Sequence, residues 1–225
     1  MNIAQISLWD EAYRPLAEIT YFHNKLDYCN RRGYEAHYMD SGFVYEKAQI
    51  GFEKMRFILR LFEERPHLDW IHFTGCDTLV TNFEVRIEDI LEPWKDSRHM
   101  VVCFDGNGMN VDSFLIRNSP QGRGLMRWVL DVKPQYEGHY WYEQQALIDF
   151  YFKAQGAQEI IQALPQRVMN SYLYDLYPEW RDRPHVDHTG HDGDWRPGDF
   201  ILHLPGISLS ERIRIMTEFQ GRIVR

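Results

Sequence analysis

The first forty residues restrict the fold more than any other part of the chain. Ile3 to Trp9 is a compact apolar run that ends at Asp10 and Glu11, the pattern of a buried strand opening into a loop. Leu16, Ile19, Phe22, Leu26 and Cys29 then recur at helical intervals and stop before Gly33, the residue type best suited to the left-handed turn that ends a helix. Tyr34 to Met39 supplies a second strand. Strand, helix and strand in that order form the unit from which parallel sheets are built.

The alternation continues down the chain. A helix is expected over Phe52 to Arg65, with Lys54 in its first turn, where the helix dipole disfavours a cation and a partner elsewhere is implied; a phosphate contact and a plain surface lysine both remain open. Strands are expected at Asp69 to Phe73, Leu79 to Asn82, His99 to Asp105, Ser113 to Ser119 and Ile160 to Pro165, and helices at Gly122 to Val132 and Tyr140 to Ala154. From Tyr172 to Gly198 periodicity fails and Tyr, Trp, Pro, Asp, His and Gly dominate, which reads as a long ordered loop. Asp199 to Gly206 is a strand-like run with a turn, and Ser208 to Arg222 an amphipathic helix with Ser210 as cap. The expectation is an α/β fold: a mixed, mostly parallel central sheet flanked by helices, in one domain over residues 1–225, with an irregular C-terminal segment closing the site.

Composition narrows the partners. A hydrophobic fraction of 44% and a charged fraction of 26% fit an ordinary soluble protein. A net charge of -8 argues against a nucleic-acid or anionic-membrane binder and favours a cation. Aromatics at 15% suit stacking on sugars or bases as well as a Tyr/Phe/Trp-rich core. The three cysteines have neither pairing nor zinc spacing and read as free thiols of a reducing compartment. The N-terminus reaches Asp10 too soon for a signal peptide, and no apolar run is long enough to span a bilayer; a soluble cytoplasmic protein without an anchor is expected.

Chemistry concentrates in Trp70 to Asn82. An apolar run stops at Gly75-Cys76 and presents Asp77 alone. A carboxylate at the end of a buried strand is costly without a cation or donors around it, although capping aspartates after strands are commonplace. His203, within Phe200-Ile201-Leu202-His203-Leu204, is either a core histidine bonded to a carbonyl or the second ligand of an ion. One carboxylate, one imidazole and a ligand's oxygens would suit manganese or magnesium. A second cluster, His185 to Asp194, would make the protein a metal-dependent hydrolase instead, though its spacing matches no zinc pattern.

The order of the remaining polar segments is more specific. Lys54, Asp77 to Asn82, Asn110-x-x-x-Phe114-Leu115-Ile116-Arg117-Asn118-Ser119, Glu143-Gln144, Pro165 to Tyr172 and Gly198-Asp199-Phe200-Ile201-x-His203 follow one another. Together they resemble the nucleotide-sugar glycosyltransferase family of fungal galactosyl- and mannosyltransferases and plant xyloglucan xylosyltransferases, over nearly the whole chain. The resemblance implies a GT-A fold holding a nucleoside-diphosphate sugar, UDP-sugar foremost, with Mn2+ or Mg2+ on the diphosphate. It also implies retaining transfer to a hydroxyl of a glycan or glycoprotein.

Carried over by position, Asp77 and His203 are the metal ligands and Lys54 contacts the nucleotide or phosphate. Ile6, Ser7 and Leu8 form the first-strand wall of the donor site, and Cys76, Asn110, Ser113 and Gly206 complete it. Gln144 approaches the reacting sugar, with Glu143 and Asp112 as further catalytic candidates that leave inversion open.

Three departures stand out. Gly75 replaces the first aspartate of the family's Asp-x-Asp motif, Val111-Asp112 replaces a small Thr-Gly pair, and Ser208 stands where a basic phosphate-binding residue is expected after the last glycine. Loss of that first aspartate also admits a nucleotide-sugar-binding module without turnover. The missing anchor suits a bacterial or virus-infected cell rather than the Golgi.

Overall fold

The computed structural model describes residues 1–45, 47–178 and 193–225. A sheet in the order β2-β1-β3-β6-β5-β7 forms its centre. The strands are β1 (Ile3–Leu8), β2 (Glu35–Met39), β3 (Trp70–Thr74), β5 (Met100–Asp105), β6 (Gly108–Arg117) and β7 (Ile161–Leu164), while β4 (Thr78–Val80) and β8 (Ile201–His203) form a separate antiparallel pair. The pairings β1–β2, β1–β3 and β5–β7 are parallel; β3–β6 and β5–β6 are antiparallel. The α/β class and mixed, mostly parallel sheet expected from the alternation are present.

Every residue of β1, β3 and β5 is buried, as required of strands covered on both faces. Phe73 and Phe114 face each other across β3 and β6 with ring centroids 5.5 Å apart, an offset stack that adds about 1 kcal/mol beyond the area it buries. Helix Glu53–Glu64 packs Met55, Ile58 and Phe62 into the same core. Gly33 ends the first helical run with φ 73°, matching its expected role. Within that run, Glu18–Lys25 is a π-helical stretch between Arg14–Ala17 and Leu26–Arg32, so the apolar face changes phase part-way.

Three local expectations shift. The strand expected from Ser113 begins at Gly108, because Gly108 adopts φ 110° and closes a tight hairpin with β5. The last helix is Leu209–Phe219, capped by Ser208, whose hydroxyl accepts from the Glu211 amide; Ser210 lies inside it. The Asp199 to Gly206 run yields only the three residues of β8, which pair with β4 and not with the central sheet.

Two registers position the site. Pairing of β4 with β8 sets Thr78 opposite His203, so the histidine lies beside Asp77. Pairing of β3 with β6 sets Thr74 opposite Ser113, and the next step is closed by the Gly75 amide donating to the Asp112 carbonyl at 2.7 Å. Among the described residues, no helix is long and apolar enough to cross a membrane.

Candidate functional site

A cleft of about 660 Å³ opens where β1 and β3 end, the end of an open α/β sheet at which ligands are generally received. Leu8 and Trp9 form one wall, the Gly75-Cys76-Asp77 turn and Asp112 the floor, and Trp141 to Gln144 the opposite rim.

Asp77, Asp112 and His203 each bring a ligand atom to one point, all within 4.8 Å of one another. His203 Nε2 lies 3.5 Å from Asp77 Oδ1 and 3.9 Å from Asp112 Oδ2. The imidazole is fully buried and Nε2 makes no hydrogen bond. Its other nitrogen, Nδ1, sits 2.8 Å from Asn170 Oδ1. An amide oxygen only accepts, so Nδ1 carries a hydrogen and Nε2 is the nitrogen that faces the two carboxylates; in the neutral ring it holds the lone pair an ion would take. Asn170 is itself held by the hydroxyl of Tyr172, which donates to Asp105 at 2.5 Å. A metal-binding histidine ordinarily has such an outer partner fixing its tautomer. An orphaned buried nitrogen beside two carboxylates fits a divalent cation.

The turn that carries Asp77 is braced from below. Lys25 is fully buried and donates to the Gly75 carbonyl at 2.7 Å. Burial pulls its ammonium down to about 8, against the pull of Cys76, Asp77 and other acidic neighbours. Burial alone would raise the Asp77 carboxyl, but the Arg212 guanidinium and His203 outweigh it and hold it well below the usual carboxylate range.

Gly75 has no room for a side chain. A Cβ there would lie 2.7 Å from Asp77 Oδ1 and 3.3 Å from Asp112 Cβ. Asp77 and Asp112 therefore crowd the space where a side chain at 75 would begin.

The other expected residues divide into two groups. Leu8, Lys54, Cys76, Glu143 and Gln144 line the cleft together with Asp77 and Asp112. Lys54 is buried and its Nζ meets Asp112 at 2.6 Å, Glu143 at 2.9 Å and the Val111 carbonyl at 3.2 Å. Desolvation would lower it, but the two carboxylates raise it above the ordinary lysine value. Glu143 is tucked against Gly51, where even a Cβ would strike its carboxylate. Gln144 Oε1 accepts from the Val111 amide at 3.3 Å, and burial pushes the Cys76 thiol up to about 12.

Ile6, Ser7, Asn110, Ser113 and Gly206 are not among the lining residues. Ile6 is in the core, and the Ser7 hydroxyl donates to the Thr74 carbonyl at 2.7 Å. Asn110 bonds to Asp105 and Tyr172, and Ser113 to His72. Gly206, at φ 71°, turns the chain into the last helix. Of the His185 to Asp194 cluster, residues 185–192 lie outside the described residues; Asp194 accepts from the Tyr174 amide.

Lys25 and Arg212 escaped the sequence reading as site residues, and Asn170 entered it only within the polar Pro165 to Tyr172 segment. Arg212 and Lys25 had a signal: Arg212 is spaced with Met216 and Phe219, and Lys25 with Tyr21 and Cys29, on the buried sides of their helices.

Comparison with known proteins now decides the family. The model of the galactosyl transferase GMA12/MNN10 family matches residues 10–103 and 93–212. The chain belongs to this family. An uncharacterized alpha-1,2-galactosyltransferase of Schizosaccharomyces pombe is 24% identical over 91% of the chain, which spans 60% of that relative's length. Among solved structures, a glycosyltransferase involved in glycosylation of the major capsid of PBCV-1 superposes with TM-score 0.73 at 17% identity, covering 97% of this chain and 100% of its own. The galactosyltransferase LgtC, solved with donor and acceptor sugar analogs, gives TM-score 0.58 at 15% identity, covering 99% and 96%. These likenesses establish the fold expected from the motifs, the GT-A arrangement of family members and neighbours.

Proposed function

We propose that the protein transfers a sugar from a nucleoside-diphosphate sugar, UDP-sugar foremost, to a hydroxyl of a glycan or glycoprotein, with manganese or magnesium held by Asp77, Asp112 and His203. The observation that carries this reading is the buried, unpartnered His203 Nε2 aimed between two carboxylates in the cleft. Family membership and the galactosyltransferase relative support it.

When bound, the ion offsets charge on the diphosphate leaving group, the largest electrostatic demand of the reaction. The chain's own residues arrange everything else. Asn170 fixes the His203 ring with Nε2 inward. Lys54 balances Asp112 and Glu143, leaving both carboxylates ion-paired. Among the described residues, the two candidate bases Asp112 and Glu143 are thus already engaged by Lys54, which favours retention through front-face attack over inversion. Gln144, anchored on Val111, is the rim amide placed to meet the donor sugar.

The test is a panel of UDP- and GDP-sugars incubated with and without Mn2+, followed by NMR of the released sugar or product. The reading expects metal-dependent turnover with the anomeric configuration kept. Turnover that ignores metal, or its persistence in Asp77→Ala, would contradict the assignment, and donor binding without turnover would favour a binding module.

A further inference from the structure

We infer that Arg212, rather than Lys54, is the side chain that grips the diphosphate, and that it does so from the far side of the carboxylate that holds the metal. This rests on the transferase reading above and names the anion contact within that site.

Among the described residues, the cleft is poor in usable positive charge: of the charged residues lining it, Asp10, Asp77, Asp112 and Glu143 are acidic, and only Lys54 and Arg212 are basic. A diphosphate entering such a site needs cationic donors beyond the ion. An ammonium has three hydrogens, and Lys54 already faces three oxygens, on Asp112, Glu143 and Val111. It has none left for a phosphate unless it abandons a buried carboxylate, and that exchange is costly in a buried pair.

Arg212 is in a different position. Its Nε donates to the Leu204 carbonyl at 2.8 Å, Nη1 donates to the Tyr13 hydroxyl at 3.1 Å, and Nη2 pairs with Asp77 Oδ2 at 3.1 Å. A guanidinium carries five N–H groups in a fixed fork, so hydrogens on both Nη atoms stay uncommitted in the cleft wall. These contacts also lock the fork, so little side-chain freedom remains to be lost on binding. The two oxygens of Asp77 divide the work: Oδ1 faces His203 and Oδ2 faces Arg212. An anion drawn to an ion on Oδ1 therefore comes within reach of the guanidinium on Oδ2.

The helix position explains the departure seen in the sequence. Ser208 caps Leu209–Phe219, and the basic residue expected near it is supplied one turn later from the helix's buried side.

The test compares UDP and uridine, both with saturating Mn2+, on the wild-type protein and on Arg212→Gln and Arg212→Lys, UDP by calorimetry and uridine by ligand-observed NMR. Loss of one or two charge-assisted bonds predicts a roughly 10- to 100-fold weaker Kd for UDP in Arg212→Gln, with uridine binding within twofold of wild type. Arg212→Lys, which keeps the charge and most of the buried stem, should lose less, and again only for UDP. It carries the test if Arg212→Gln fails to fold. UDP affinity within twofold of wild type in a folded variant overturns the inference, as does an equal loss for UDP and uridine, the mark of a purely structural residue. A wild-type protein that binds no UDP refutes the transferase reading itself, before Arg212 is at issue.

Discussion

Gly75 and Asp112 should behave as one exchangeable unit. Putting back an aspartate at 75 looks like repair of the metal site, but the geometry predicts damage. The new Cβ would lie 2.7 Å from Asp77 Oδ1 and 3.3 and 3.4 Å from Asp112 Cβ and Cγ, so one of the two carboxylates must move. Overpacking of this kind costs roughly 1–3 kcal/mol. A third carboxylate adds repulsion of up to about 4 kcal/mol for charges 4 Å apart at an effective dielectric near 20.

Asp112→Gly alone removes a proposed ligand and should weaken Mn2+ binding roughly 10- to 100-fold, the worth of one interaction with a charged group. Gly75→Asp combined with Asp112→Gly removes the excess charge and the contacts with Asp112, leaving the 2.7 Å approach to Asp77 Oδ1 to be relieved by a small shift of that side chain. Mn2+ titrated calorimetrically into each UDP-saturated protein measures the cycle. Both single variants should bind Mn2+ more weakly than wild type, and the double variant should recover to within a few-fold, a coupling of roughly 2–3 kcal/mol. Gly75→Asp binding Mn2+ more tightly than wild type, or a double variant equal to the sum of the singles, would refute the reasoning.

Other perturbations follow from the same contacts. Asn170→Leu removes the acceptor that holds hydrogen on His203 Nδ1 and should lower Mn2+ affinity roughly 10- to 100-fold, whereas Asn170→Asp keeps an acceptor and most of the affinity; equal binding by Asn170→Leu and wild type would sink the tautomer argument. Burial, with a smaller push from Lys25, takes His72 down to about 3. The folded protein then holds fewer protons than the unfolded chain between pH 3 and 6.5, so stability present above the unfolded value is lost as pH falls, by roughly 4–5 kcal/mol at full extent. Urea unfolding at pH 7, 5 and 4 should show a flatter acid limb for His72→Gln, and an unchanged limb would count against it. Lys25, lowered mainly by burial to about 8, makes stability rise between pH 8 and 10.5 by roughly 3 kcal/mol. Lys25→Met should abolish that rise, at the expense of the brace under Gly75.

What the sequence made legible was what local pattern encodes. The apolar period of Ile3 to Met39, the stop at Gly33 and the isolated Asp77 and His203 were readable because each follows from spacing or from the cost of burying a polar group. The site itself depends on register: Thr78 opposite His203 and Thr74 opposite Ser113 are set by tertiary packing, and nothing in either strand alone fixes its partner. Asp112 was visible as a departure, but its role next to Gly75 emerges only when β6 is laid beside β3. Lys25 and Arg212 were passed over because long basic residues on helices usually face water, and here both point inward. The π-helical stretch at Glu18–Lys25 changes the phase of the helix, but Lys25 keeps its four-residue spacing with Tyr21 and Cys29 on the buried side. Lys54 was singled out correctly as a residue needing a partner, yet the partners are carboxylates of the chain itself.

The account stands or falls on an ion held by His203 Nε2. Electron spin-echo measurement of Mn2+ bound to the UDP-loaded protein tests this directly. The account predicts coupling to one imidazole nitrogen in wild type, lost in His203→Gln; coupling that survives His203→Gln, or none in wild type, would contradict it.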